Sequence, residues 1–267
     1  MSLTLRPLPA ALFAACLSCV TSTAQAQAFD AVRLYGAAPG TDGGLVGAAL
    51  IVGTEYAGSD ERRTMLLPAL DYQWRSGWFA GTTNGIGYDF AGRPDMQYGL
   101  RLTADLGRSE SRSPALVGMG DIDATPTYGA FFNYAPTRQT FLTSSLRYGS
   151  GNNADGMVLD LGAVYLHPLA PQWSLAVGAA LSVVNAAYMQ SYFGVTAAQS
   201  ASGYAAYTPS AGLRDVRANL SLTHQFSNRF GVTGVLSLSS LQGDARDSPL
   251  VRQAITTTGV LAVTYAF

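Results

Sequence analysis

The chain has 267 residues, no lysine, sixteen arginines and seventeen acids, for a formal net charge of −1. Charged residues are 12% and apolar residues 48% of it, about half the charged fraction of a soluble globular domain. That balance leaves no basic surface for nucleic acid and points instead to a membrane protein, a secreted structural protein or low-complexity repeats.

Arg6 is the only charge before Asp30, and an apolar stretch from Ala10 to Val20 follows it. A polar run of small residues, Thr21 to Ala28, comes next. This order matches the charged region, apolar core and A-x-A site of a secretory signal peptide, with cleavage after Ala26 or Ala28. The stretch is too short for a helical span, which needs roughly 20 apolar residues. Both cysteines, Cys16 and Cys19, lie inside it. Cleavage at Ala28 would leave a mature chain without thiols or disulfides. The expected division is therefore a leader over 1–28 and one domain over 29–267.

Beyond the leader, the longest apolar run is about eight residues, Leu45 to Val52, so no helix crosses a bilayer. The other spanning solution is a closed barrel, which satisfies every backbone polar group internally. The period-2 alternation of a strand recurs along the chain. Leu66, Pro68, Leu70, Tyr72 and Trp74 alternate with a parity holding Asp71, Gln73 and Arg75. Tyr98, Leu100, Leu102, Ala104 and Leu106 alternate with Gly99, Arg101, Thr103 and Asp105. Similar series run through Trp173–Val183 and Val216–Phe226, and the last ends Leu261, Val263, Tyr265, Phe267.

Ten strand charges, Glu55, Asp71, Arg75, Asp89, Arg101, Asp105, Arg147, Asp160, Asp215 and Arg217, all fall on the less apolar parity. Random placement would do this about once in a thousand, and pleating supplies the cause. A lipid-facing arginine near the midplane costs about 2–4 kcal/mol. Asp71, Arg101, Asp105, Arg147, Asp160 and Arg217 are the candidate lumen charges. Tyr and Trp gather at strand ends, Tyr56, Trp74, Trp78, Tyr134, Tyr148, Tyr165, Trp173 and Tyr265 among them, as interfacial girdles require.

The reading is an all-β, transmembrane antiparallel barrel of about twelve strands, with ten or fourteen open. The strands fall at about 29–37, 45–56, 64–74, 78–90, 97–107, 127–135, 140–149, 157–167, 173–185, 214–226, 230–241 and 254–267. This assignment puts the Arg75–Gly77 turn outside, although it has the look of a tight periplasmic turn. Its environment is the lipid of a bacterial outer membrane, crossed many times.

The chain resembles the MipA/OmpV family of outer-membrane proteins (MltA-interacting protein). The stretches that carry the likeness are Glu55-Tyr56-Ala57-Gly58-Ser59 with the run on to Pro68, and Tyr188-Met189-Gln190-Ser191-Tyr192-Phe193-Gly194-Val195-Thr196 with Ser202-Gly203-Tyr204. Ala211-Gly212-Leu213-Arg214-Asp215, Leu241-Gln242-Gly243-Asp244-Ala245 and Asp247-Ser248-Pro249 complete it, in the family's order. The resemblance implies an outer-membrane barrel and, for the founding member, a scaffold joining a lytic transglycosylase to a murein synthase. Other members look like adhesins, surface antigens or porin-like proteins. The family has no catalytic residues to carry over.

Three functions compete. A non-enzymatic scaffold or surface binder would use the long connection Ala186–Gly212, with Tyr188, Tyr192, Phe193, Tyr204 and Tyr207 as contact candidates; the same rings could instead pack the loop as a plug. A porin-like channel for small solutes would use the inward charges, and packing the interior with side chains is the competing use. An enzyme would need a nucleophile with a positioned base, and neither His167 nor His224 sits on a polar face with such a partner. Asp121, Asp123, Asp244 and Asp247 lack the ligand count of a calcium loop, so neither cofactor nor metal is expected. Tyr265 and Phe267 resemble the terminal signal read by the barrel-insertion machinery.

Overall fold

A computed structural model describes residues 41–267. The 1–28 leader and the expected first strand at 29–37 lie outside the described residues. Twelve antiparallel strands close into a barrel: β1 Gly43–Thr54, β2 Arg62–Gln73, β3 Trp78–Gly81, β4 Gly85–Asp89, β5 Met96–Asp105, β6 Thr125–Tyr134, β7 Thr140–Ser150, β8 Gly156–Ala170, β9 Trp173–Val184, β10 Gly212–Gln225, β11 Phe230–Leu241 and β12 Ile255–Ala266. Each strand pairs with its chain neighbours, and β12 seals onto β1 from Leu45↔Ala266 to Val52↔Gly259. Closure leaves no edge along that seam, which a bilayer demands.

The count of twelve is reached differently from the sequence expectation. The segment 78–90 is two short strands, because Thr82-Thr83-Asn84 turns the chain back and Gly81 pairs with Gly85. Gly85 has φ +71°, and a Cβ there would lie 2.0 Å from the Leu102 carbonyl oxygen, so the turn needs glycine. The extra reversal also corrects the sidedness of the 75–77 turn. Trp74 and Trp78 close it beside the terminus: Tyr72 stacks on Phe267 at 6.1 Å, and the Gly44 N–H donates to the Phe267 carbonyl. The short connections 74–77, 90–95, 135–139, 171–172 and 226–229 share that end; 55–61, 106–124, 151–155, 185–211 and 242–254 share the other. By the rule that barrels keep short turns periplasmic and long loops outside, Phe267 marks the periplasmic end.

Outward residues form the lipid surface: Leu100 is 59% exposed and Val177 51%, against 7% for Arg101. At the periplasmic rim rings touch in series, Trp78–Tyr88, Tyr88–Phe90 and Phe90–Tyr98 on one side and Trp173–His224–Phe226–Phe230 on another. His224 belongs to this girdle, which explains its apolar parity. Tyr56, expected among the girdle rings, is instead buried in the outer loops.

Candidate functional site

The interior is two-sided. Ala49, Ile51, Met65, Val260 and Ala262 form an apolar cluster behind β1, β2 and β12. The opposite wall carries the charges. Asp160 on β8 accepts from Arg147 Nη2 of β7 at 2.6 Å, from Ser182 Oγ of β9 at 2.5 Å and from Arg217 Nη2 of β10 at 3.3 Å. Asp215 pairs with Arg214 at 2.5 Å and Arg217 at 3.1 Å. Period-2 spacing would send Arg214 and Asp215 to opposite faces. A β-bulge between Leu213 and Asp215 turns both inward, and both are buried. Arg214 is a lumen residue that parity alone hides. It donates onward to the Tyr188 hydroxyl at 2.8 Å and to Ser182 Oγ at 3.1 Å. Three guanidiniums and two carboxylates thus tie four neighbouring strands into one ion-paired layer.

The other candidate charges extend the inner face. Arg101 donates to Ser145 Oγ at 2.6 Å and to Asn84 Oδ1 at 3.3 Å, lying 5.9 Å from the Phe131 ring centre. Asp105 accepts from the Tyr192 hydroxyl at 2.8 Å. Asp71 stands over Gly81, where a Cβ would fall 1.7 Å from its Oδ1. Asp71 is therefore separate from the charged layer of β7–β10.

Above the layer, the connection after β9 is a plug rather than a structureless loop. Helix α1, Ala186–Phe193, starts at Asn185, whose side chain accepts from the Tyr188 N–H at 3.0 Å, as an N-cap does. Met189 and Phe193 are 1% exposed and pack with Val158, Val184, Leu241 and Ala245. Tyr188 and Tyr192 stack at 4.5 Å. Burial, then the neighbouring Tyr188 and Asp105, pushes the Tyr192 phenol upward, so it stays a donor. Arg108 of the 106–124 loop is buried and donates to the Tyr192 carbonyl at 2.9 Å.

The stretches that carry the family likeness meet over this plug. Tyr56 donates to the Leu250 carbonyl at 2.9 Å. Its phenol is pushed up to about 12, chiefly by burial. The Gly58 carbonyl accepts from the Arg252 and Gln253 N–H groups. Gly58 has φ +96°, and a Cβ there would meet Val251 at 2.7 Å. Ser248 Oγ donates to the Phe193 carbonyl at 2.6 Å. Met119, Val195 and Leu250 form a buried cluster flanked by Tyr204 and Tyr207. Tyr204 donates to the Ala115 carbonyl at 3.1 Å and receives Arg252 Nη2 at 2.7 Å; Tyr207 donates to the Asp244 carbonyl of α2, Gly243–Arg246. Asp121 accepts from Ser109 and the Glu110 N–H, and Asp244 from the Ser210 N–H. These carboxylates brace loops.

The site therefore defines a transmembrane β-barrel whose outer mouth is closed by its own loops above an ion-paired layer. The family model described as MltA-interacting protein MipA matches residues 46–267, and the chain belongs to that family. No curated protein sequence matches the chain. Among solved structures it is similar to the NanC porin (9% identity, TM-score 0.47, 82% of this chain and 98% of that one). It is also similar to an outer-membrane channel from Pseudomonas putida F1 (11%, 0.47, 87% and 98%). A third likeness is to the translocator domain of the autotransporter NalP from Neisseria meningitidis (13%, 0.45, 90% and 94%). The chain is an outer-membrane, multi-pass barrel of this family.

Proposed function

We propose that this barrel is a non-enzymatic scaffold that holds murein-remodelling enzymes, a lytic transglycosylase and a murein synthase, at the inner face of the outer membrane. One observation carries the reading: the lumen wall over β7–β10 is ion-paired through Arg147–Asp160–Arg217–Asp215–Arg214, an apolar cluster lies behind β1, β2 and β12, and α1 with the outer loops caps the mouth. A barrel so filled is a rigid anchor, not a conduit. The family's description, an MltA-interacting protein, supports the choice of partner. His224 is held 4.2 Å from the Trp173 ring and 4.3 Å from the Phe226 ring, within the aromatic girdle, and His167 is exposed near the end of β8.

The five aromatic contact candidates divide on this reading. Tyr188, Tyr192 and Phe193 hold the plug; Tyr204 and Tyr207 hold the outer loops to it. Murein enzymes meet the opposite end, where Arg75, Arg93, Arg138 and Arg229 stand on the short turns with Asp42 and Asp95. Crosslinking in intact envelopes, followed by identification of the captured proteins, tests it. Capture of a transglycosylase through residues of the short turns is expected, and its loss in the R75E/R93E/R138E/R229E chain. Capture of no murein enzyme, with the barrel at normal abundance, refutes the scaffold reading.

A further inference from the structure

The periplasmic rim is unevenly charged. On one half each arginine stands by a carboxylate. Arg93 pairs with Asp95 at 2.7 Å, and Arg75 lies 3.8 Å from Asp42, which also accepts from the Arg75 N–H at 2.9 Å. The terminal carboxylate belongs to Phe267, whose ring stacks on Tyr72 in that same half. On the other half the turns 135–139 and 226–229 carry Arg138 and Arg229. The chain has no Asp or Glu over 124–154, 161–214 or 216–243, so among the described residues no carboxylate stands on this half of the rim. Arg229 donates instead to the neutral Tyr265 hydroxyl, at 3.4 Å.

Between these two arginines stands the β8–β9 hairpin. β7 begins at Thr140, opposite Tyr165, so β8 runs on past the neighbouring turn to Ala170. From Leu161 to Leu166 its residues alternate exposed and half-buried, as lipid face and lumen require; from His167 to Trp173 every residue is exposed, on both parities. A tip exposed on both faces has left the barrel wall. At Leu169 the register with β9 slips, Pro168 pairing with Ser174 and Ala170 with Trp173, and a bulge of this kind re-aims its side chain. Leu169 is 53% exposed. Pro168 and Pro171 flank it and fix their own φ, so the tip is held in shape before it meets anything. Strand spacing puts Arg138 and Arg229 each about 10 Å round the rim from it.

Resting on the scaffold reading, we infer that this tip is where the lytic transglycosylase docks: Leu169 enters an apolar pocket of the enzyme, and carboxylates on the rim of that pocket face Arg138 and Arg229. An apolar centre inside a charged rim is the anatomy of a protein interface. Complementary charge speeds the encounter, and a rigid tip loses little freedom on binding. Arg75 and Arg93, already offset by Asp42 and Asp95, attract an acidic partner less.

The barrel in lipid nanodiscs is presented to purified MltA transglycosylase, and association and dissociation are followed by biolayer interferometry at low and high salt. L169S is expected to speed dissociation about tenfold. R138Q/R229Q should slow association severalfold and flatten its salt dependence, more than R75Q/R93Q does. Heat-modifiable migration verifies that each variant is folded, and L169A serves if L169S is not. Unchanged dissociation in the Leu169 variants would leave the tip to the lipid interface, and equal effects of the two arginine pairs would deny the charge asymmetry a role. Either result overturns this docking surface while binding by the intact chain keeps the scaffold reading. An intact chain that does not bind the enzyme refutes that reading and takes this surface with it.

Discussion

Asp160→Asn probes the ion-paired layer most directly. The substitution keeps the size of the side chain and removes its charge. Arg147 loses its Asp160 pair, Arg217 keeps only Asp215, and Arg214 loses the charge just beyond Ser182, leaving Asp215 the one carboxylate of the layer. Arg217 and Asp160 are each 9% exposed at the side chain and Arg147 is 15%, so solvent compensates little. Breaking a buried pair by removing one partner costs about 3–5 kcal/mol. The retained amide still accepts one hydrogen bond, which places the expected loss at about 3 kcal/mol. Reversible urea unfolding of the barrel in lipid vesicles, followed by tryptophan fluorescence, measures it. R147M/D160L/R217M, which removes charge on both sides, should recover part of the loss. A D160N loss below about 1 kcal/mol would mean that water hydrates the layer, and the filled-lumen argument would fail with it.

Three further outcomes follow from the same geometry. Deleting residues 190–208 removes half of α1 and the Tyr204 anchor; planar-bilayer recordings should show single-channel steps from the deletion chain and none from the intact one. The Tyr56 phenol, raised to about 12, keeps its contribution below the ordinary tyrosine range near pH 10 and loses it as pH rises through 12. Ultraviolet titration of the intact chain minus Y56F should therefore show one late-ionising phenol, and a difference step near pH 10 would refute the burial argument. Deleting Phe267 should lower the outer-membrane yield of heat-modifiable barrel, and unchanged abundance would deny the residue an assembly role.

Alternation was the legible part of this sequence. Wherever one face meets lipid and the other the lumen, parity alone locates the strand, and β11 falls on 230–241 as expected. What stayed hidden has local causes. Asn84-Gly85 is a strong hairpin signal, yet it lies inside a segment whose alternation continues on both sides, so the short strands read as one. The bulge before Asp215 reverses parity for a single residue, and no composition marks it. Helix α1 was announced only by Asn185 ahead of two alanines. The family stretches stood out as unusual sequence, but their meeting over the plug depends on contacts 55 to 194 residues apart, which spacing cannot supply.

That separation has a consequence for the order of assembly. Tyr56 sits on the first loop and Leu250 on the last, so their bond forms only after the final hairpin has come back to the first strand. Contacts between distant parts of a chain are the slow ones in folding. The outer loops are then a late-folding unit, and a protease that cuts at 57–61 before they interlock would find that site shielded once β12 has reached β1. Resistance at that one loop would serve as a clock for the final step of biogenesis.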